Sequence, residues 1–162
     1  MEYNIREHRH RFASWAAARA AQRGFTNTKN IIEAINSTDI RKTVETKSLW
    51  PKRKSDFERL HRQWCTQIIS TLRKLGVKSS YGRAAKIVAI YFKIAIILSD
   101  NERSVFGKII HPPVDRILLS SLNIKQNWTT LSEEKYFLVM KKLKEINGNK
   151  AFWEIECNWK PE

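Results

Sequence analysis

Residues 84–98 constrain the fold of this chain more than any other segment, because they are apolar on most sides of a helix. A helix with that pattern is stable only when other helices cover it from several directions. Its most apolar part, residues 87–98, is twelve residues long and includes Lys93, whereas a membrane-spanning helix needs about 20 apolar residues. We therefore predict an all-α globular fold with residues 84–98 at its centre.

Helical periodicity continues on both sides of this central segment. In residues 5–23, the side chains of Phe12, Trp15, Ala16 and Ala20 recur at three- and four-residue steps, which indicates a helix. Further helices are predicted over residues 28–36, 56–75, 113–122, 131–147 and about 152–159. A chain of 162 residues without an internal repeat suits one domain. The prediction is a single all-α domain, residues 1–162, of six or seven helices.

Residues 39–54 show no sustained period, and we predict a basic, flexible loop over about residues 45–54. The cations of this loop are Lys52, Arg53 and Lys54. Trp50 stands beside them, and an exposed aromatic ring among cations is a usual contact for single-stranded nucleic acid. Trp15 and Trp64 fall on apolar helical stripes instead, which places them in the predicted core.

The charge balance indicates a polyanionic partner. The chain has 30 Lys and Arg against 16 Asp and Glu, a net charge of +14. Such an excess of positive charge causes repulsion within the folded protein, which a bound polyanion reduces. Nucleic acid is a more common polyanionic partner than an anionic membrane. We predict a nucleic-acid-binding protein, with DNA preferred over RNA. A protein-interaction module for an acidic partner remains an alternative.

The basic charge is concentrated where the chain lacks acids, between Glu58 and Asp100. Within this window, residues 73–83 place cations, hydroxyls and the amides of a helix start together, and these groups hold phosphates. Ser79 or Ser80 is suited to cap that helix. The predicted nucleic-acid ligands are Arg73, Lys74, Lys78, Ser80, Arg83 and Tyr81, the last by stacking on a base.

A second candidate site begins at His111, which two prolines separate from Val114 and Asp115. The prolines stiffen the approach to the Asp115 carboxylate, and rigid placement suits a catalytic group. The same residues also fit an ordinary helix start, with Pro113 as the first helical residue and Asp115 in the positive first turn. Both interpretations are open at this point.

Together these segments resemble the helix-hairpin-helix DNA glycosylases over about residues 72–122. The matching segments are Leu75-Gly76-Val77 and residues 81–86 for the hairpin and the following helix, and residues 113–116 for the aspartate segment. The resemblance implies base excision on a flipped nucleotide. Asp115 would activate water or position Lys86 for attack on the sugar C1′, and His111 would contact a phosphate or the base.

Other chemistry has little support in the sequence. Cys65 and Cys157 supply neither a disulfide framework nor metal-ligand spacing, so a reducing, cytoplasmic location is expected. No signal peptide is visible, since the N-terminus is charged from its second residue. Phosphate-binding loops, nucleophile elbows and dinucleotide fingerprints are missing, and we predict no cofactor and no metal.

Overall fold

A computed structural model describes residues 2–161 of this protein, and its secondary structure consists of helices. The α-helices are α1 (Ile5–Ala21), α2 (Thr28–Asn36), α3 (Ile40–Glu45), α4 (Lys54–Lys74), α5 (Tyr81–Ala95), α6 (Val105–Ile109), α7 (Arg116–Ser121) and α8 (Glu133–Asn147). Short 3₁₀ helices cover Lys47–Leu49, Ile97–Ser99, Trp128–Thr130 and Phe152–Asn158. The predicted all-α class is confirmed. Within residues 2–161, no helix combines the length and the apolar character that crossing a bilayer requires.

The helix α5 is central, as its apolar pattern predicted. Ten of its fifteen residues are buried, and it packs against α1, α4, α8 and the Trp128–Thr130 turn. Large side chains that pack around it include Phe57 and Trp64 of α4, which are 1% and 0% exposed. The remaining accessible face of α5 therefore becomes a candidate for function.

The contact between α1 and α5 uses alanines, contrary to the predicted stripe. Ala13 and Ala17 are fully buried, while Phe12 and Trp15 are 50% and 52% exposed. The prediction of Trp15 in the core is therefore wrong, whereas that of Trp64 is confirmed. Small side chains let two helices approach closely, so the alanine face of α1 packs and its aromatic face turns to solvent.

Within the segment predicted as a basic loop, Lys47–Leu49 forms a 3₁₀ turn, and residues 50–53 connect this turn to α4 without helix. Trp50 is half-buried: the indole Nε1 donates to the carbonyl of Val44 at 3.1 Å, and the ring lies 5.5 Å from that of Phe106. Trp50 is thus a structural residue rather than an exposed stacking platform. The local sequence pattern did not predict the burial of Trp50, because the ring that packs against it, Phe106, is distant in the chain.

The segment 111–115 is extended, and α7 starts only at Arg116. Pro113 is therefore not the first helical residue. Asp115 is the N-cap of α7, since its Oδ1 accepts a hydrogen bond from the amide of Leu118 at 2.9 Å. The side-chain cap sets the helix start.

Candidate functional site

The turn between α4 and α5 keeps its cations free. Arg73, Lys74 and Lys78 are exposed, and no ion pair found within residues 2–161 involves them. Arg73 and Lys78 line a surface depression of about 390 Å³ together with Gly76, Val77 and Ser79. Two unpaired positive charges thus border one concave patch, and the third, Lys74, lies next to Arg73 in the chain.

The amides at the start of α5 are not free, contrary to the prediction that they bind phosphate. The amide of Gly82 donates to the carbonyl of Leu131 at 3.0 Å, and that of Arg83 donates to Ser80 Oγ at 3.2 Å. Ser80 Oγ in turn donates to the carbonyl of Thr129 at 2.7 Å. Ser80 is therefore a helix cap held by the Trp128–Thr130 turn, and the α5 start is closed to a ligand.

Two other predicted site residues, Tyr81 and His111, are buried at 6% and 2% exposure. The Tyr81 hydroxyl lies 2.8 Å from His61 Nδ1, and His111 Nδ1 lies 2.8 Å from the Tyr136 hydroxyl. Neither Tyr81 nor His111 reaches a ligand at the surface. Both predictions fail because the tyrosine hydroxyls and histidine rings form hydrogen bonds with each other inside the core. The partners are far apart in sequence, so local sequence patterns do not reveal these bonds.

The loop cations occupy a different place from the α4–α5 turn. Lys52 is exposed, Arg53 pairs with Asp56 at 3.1 Å, and Lys54 pairs with Glu58 at 3.6 Å. These residues stand at the start of α4, whose 21 residues span about 30 Å. The two predicted basic segments are therefore at opposite ends of one helix and do not form a single site.

A second cluster combines aromatic rings and cations at the N-terminal half of α5. The Arg83 guanidinium lies 4.5 Å from the centre of the Phe25 ring and 5.7 Å from that of Trp128. Lys86 Nζ lies 4.3 Å from the Trp128 ring centre. We call Phe25, Arg83, Trp128 and Lys86 the aromatic–cation stack. Burial lowers the pKa of Arg83, and its buried Nη1 has no hydrogen-bond partner among the described residues.

Lys86 and Asp115, the predicted catalytic pair, interact through their charges. Burial lowers the pKa of the Lys86 ammonium, and the Asp115 carboxylate opposes that shift. Both oxygens of Asp115 are occupied, however: Oδ1 accepts from Leu118, and Oδ2 accepts from the Trp159 indole at 2.9 Å. A carboxylate held in this way can act on Lys86 through its charge.

The accessible face of α5 continues to Lys93, seven residues beyond Lys86. Lys93 Nζ pairs with Glu156 at 2.7 Å and lies 5.8 Å from the centre of the Trp159 ring. Burial raises the pKa of Glu156, and the hydrogen bond from Lys93 opposes this shift.

The sequence analysis did not predict Trp128, Trp159 and Glu156, which reach α5 from distant segments. The available signal was the spacing of two lysines on one face of an otherwise apolar helix.

No protein family, curated protein or solved structure was found to match this chain. Within residues 2–161, no group of three His, Cys, Asp or Glu side chains is placed to hold a metal ion. Cys65 is buried and Cys157 is exposed, each as a free thiol. Function must therefore be inferred from the charged and aromatic surface residues themselves.

Proposed function

We propose that this protein binds nucleic acid through phosphate contacts at the α4–α5 turn. The observation that carries the proposal is a group of three exposed, unpaired cations in one turn, of which Arg73 and Lys78 line a depression and Lys74 follows Arg73 in the chain. A cation with no carboxylate partner repels its neighbours in a chain of net charge +14. A phosphate backbone removes that repulsion and releases counterions, which is the main source of affinity for nucleic acids.

Cations from a second helix extend this basic end of the molecule. The α1 C-terminus lies beside the start of α5, because Phe25 contacts Arg83. Arg19 and Arg23 near that terminus are exposed, and neither takes part in the ion pairs found in residues 2–161. Several phosphates in a row can therefore meet a cation at this end, which supports a polymeric ligand over a single anion.

Reversing the turn charges in Arg73→Glu, Lys74→Glu, Lys78→Glu is expected to weaken binding on the order of 100-fold at low salt. The slope of log affinity against log salt is expected to fall by about 2 to 3, since each lost phosphate contact removes about one. Fluorescence anisotropy with labelled duplex and single-stranded oligonucleotides, between about 50 and 200 mM salt, measures both quantities.

The matched control is Lys141→Glu, Lys142→Glu, Lys150→Glu, which changes the net charge equally at exposed positions in or after α8. A much smaller loss of affinity is expected from this control. Equal losses from both triple variants would mean that the charge acts diffusely. Wild-type affinity that does not depend on salt would contradict phosphate binding altogether, and unchanged affinity in both variants would leave the protein-interaction alternative.

A base-excision activity is the second candidate function, and one observation favours it. Lys86 is partly buried, and burial lowers its pKa while the charge of Asp115 opposes the shift. The lowered pKa raises the fraction of neutral amine available for attack on C1′. Because Asp115 caps α7 and accepts from Trp159, its role would be to position Lys86 and stabilise positive charge. Activation of water by this carboxylate is disfavoured.

If Lys86 attacks an abasic sugar, borohydride is expected to trap a covalent complex that Lys86→Gln abolishes. The measurement is a shift in denaturing gel mobility with oligonucleotides that carry abasic, oxidised or alkylated sites. Lys93→Gln is the control, because Lys93 lies on the same face of α5 but pairs with Glu156. A wild-type protein that binds these oligonucleotides without any trapped product would rule out the lyase and leave nucleic-acid binding.

A further inference from the structure

The outward face of α1 exposes two large aromatic rings side by side. Phe12 is 50% and Trp15 is 52% exposed, and their ring centres lie 5.8 Å apart with planes tilted by 33°. Single exposed apolar residues are ordinary, but adjacent large rings form a patch that marks a contact surface. The opposite face of the helix is buried against α5 through alanines, so the orientation of the rings is set by the fold.

The side chains in line with these rings are basic. At 100° per residue, one row of α1 consists of His8, Phe12, Trp15 and Arg19. We call these four residues the α1 strip. Glu7 is the one acid in α1, and it lies on another face, where it pairs with Arg11 and Arg41 at 2.8 and 2.7 Å. The α1 strip is about 17 Å long and carries no negative charge.

We infer that the α1 strip stacks the unpaired bases of single-stranded nucleic acid. The inference rests on the proposed function, because Arg19 continues the strip into the basic end that would hold the backbone. Exposed aromatic rings flanked by basic side chains are the usual surface for single strands, since every base offers a π-face to a ring while the cations follow the phosphates. In a duplex those faces are already stacked, so the strip selects the single strand.

A depression beside Phe12 offers room for one base. It measures about 370 Å³, and its lining comes from α1, from Ile94 of α5 and from the turn after α5: Ile5, His8, Arg9, Phe12, Ile94, Leu98, Ser99 and Asp100. A base that stacks on Phe12 can therefore contact the apolar side chains of Ile94 and Leu98, while Arg9 and Asp100 line the same depression. This arrangement places a ring, apolar surface and one side chain of each charge around one position.

An anionic membrane is a less suitable partner for this surface. A helix that binds in the membrane interface uses a wide apolar face against the lipid. Here the exposed large apolar side chains of α1 are Ile5, Phe12 and Trp15, and His8 and Arg19 lie in the same row as the two rings, so the outward face is not continuously apolar. The vesicle measurement below tests this alternative.

The test compares wild type with the double variant Phe12→Leu, Trp15→Leu, which keeps apolar character but removes the rings. Affinity for a 20-nucleotide single strand is expected to fall about tenfold or more, while affinity for the matching duplex changes less than about twofold. Trp15→Phe, which retains a ring, is expected to keep most of the single-strand affinity. Leu138→Ala, at another exposed apolar position, serves as the control, and circular dichroism checks the fold of each variant.

The outcomes separate the inference from the proposed function. Salt-dependent binding that is unaffected by the double variant would overturn the α1 strip and leave phosphate binding in place. Equal losses for single strand and duplex would also overturn it, because stacking would not be selective. Wild-type protein that binds neither oligonucleotide would overturn both. Binding to vesicles of anionic lipid without binding to the single strand would assign the strip to a membrane instead.

Discussion

Lowering the pH from 6.5 to 5 is expected to destabilise the fold by about 2 kcal/mol through His61 alone. His61 is fully buried in α4, and burial, with a smaller contribution from Arg62, lowers its pKa to about 3. Below the unfolded value of about 6.5, the unfolded chain takes up a proton that the folded chain refuses. Stability is therefore intact above pH 6.5 and falls progressively as the pH drops toward 3.

His111 acts in the same direction. Burial lowers its pKa well below the ordinary value, and nearby His61 contributes to the shift. The two imidazoles have ring centres 4.8 Å apart, so a proton on either one raises the energy of placing a proton on the other. An ordinary domain has a free energy of unfolding of about 5–15 kcal/mol. Protonation of such a buried histidine pair removes a large part of it.

Urea unfolding at several pH values between about 7.5 and 5 measures this effect, because carboxylates titrate mainly below that interval. His111→Gln is the matched variant: the amide can still bond the Tyr136 hydroxyl but does not titrate in this range. We expect His111→Gln to be less stable than wild type at neutral pH. Between pH 6.5 and 5, its free energy of unfolding is expected to change less steeply with pH than that of wild type. A flat wild-type profile would contradict the burial of neutral histidines.

Gly82→Ala is expected to destabilise the protein by about 2–3 kcal/mol, even though alanine is the better helix former. A Cβ at position 82 would lie 2.1 Å from the carbonyl oxygen of Trp128 and 3.0 Å from Leu131 Cβ. The obstacle is backbone, so it cannot rotate away. The 128–131 segment would have to retreat, which breaks the hydrogen bond from the Gly82 amide to Leu131.

Gly107→Ala provides the comparison, because its Cβ would meet the Asn101 carbonyl oxygen at 2.0 Å in another part of the fold. Thermal and urea unfolding are expected to show losses for both variants. Only Gly82→Ala is expected to displace Trp128 from Lys86, which tryptophan fluorescence measures. Wild-type stability in Gly82→Ala would show that α5 and the Trp128–Thr130 turn are not in close contact.

This packing gives Gly82 a physical role that differs from the one the resemblance implied. In the helix-hairpin-helix interpretation it belongs to a hairpin that grips a DNA backbone. In the structure, Gly82 lies in the first turn of α5 and allows another segment of the same chain to touch the helix. The turn glycine is Gly76, with a φ of 80°, where the amide of Val77 closes the end of α4 on Leu72 at 2.8 Å. The candidate phosphate contacts consequently come from side chains.

The helical class, the central position of α5 and the excess of positive charge follow from local periodicity and composition, so they could be predicted before the fold was known. The sequence also located the exposed cations of the α4–α5 turn, since Gly76 and the flanking polar residues mark a helix end. Which aromatic residues face solvent depends instead on contacts between segments that are distant in the chain. Close approach of α1 to α5 required alanines at the contact, which turned Phe12 and Trp15 outward, while long-range hydrogen bonds drew Tyr81 and His111 inward.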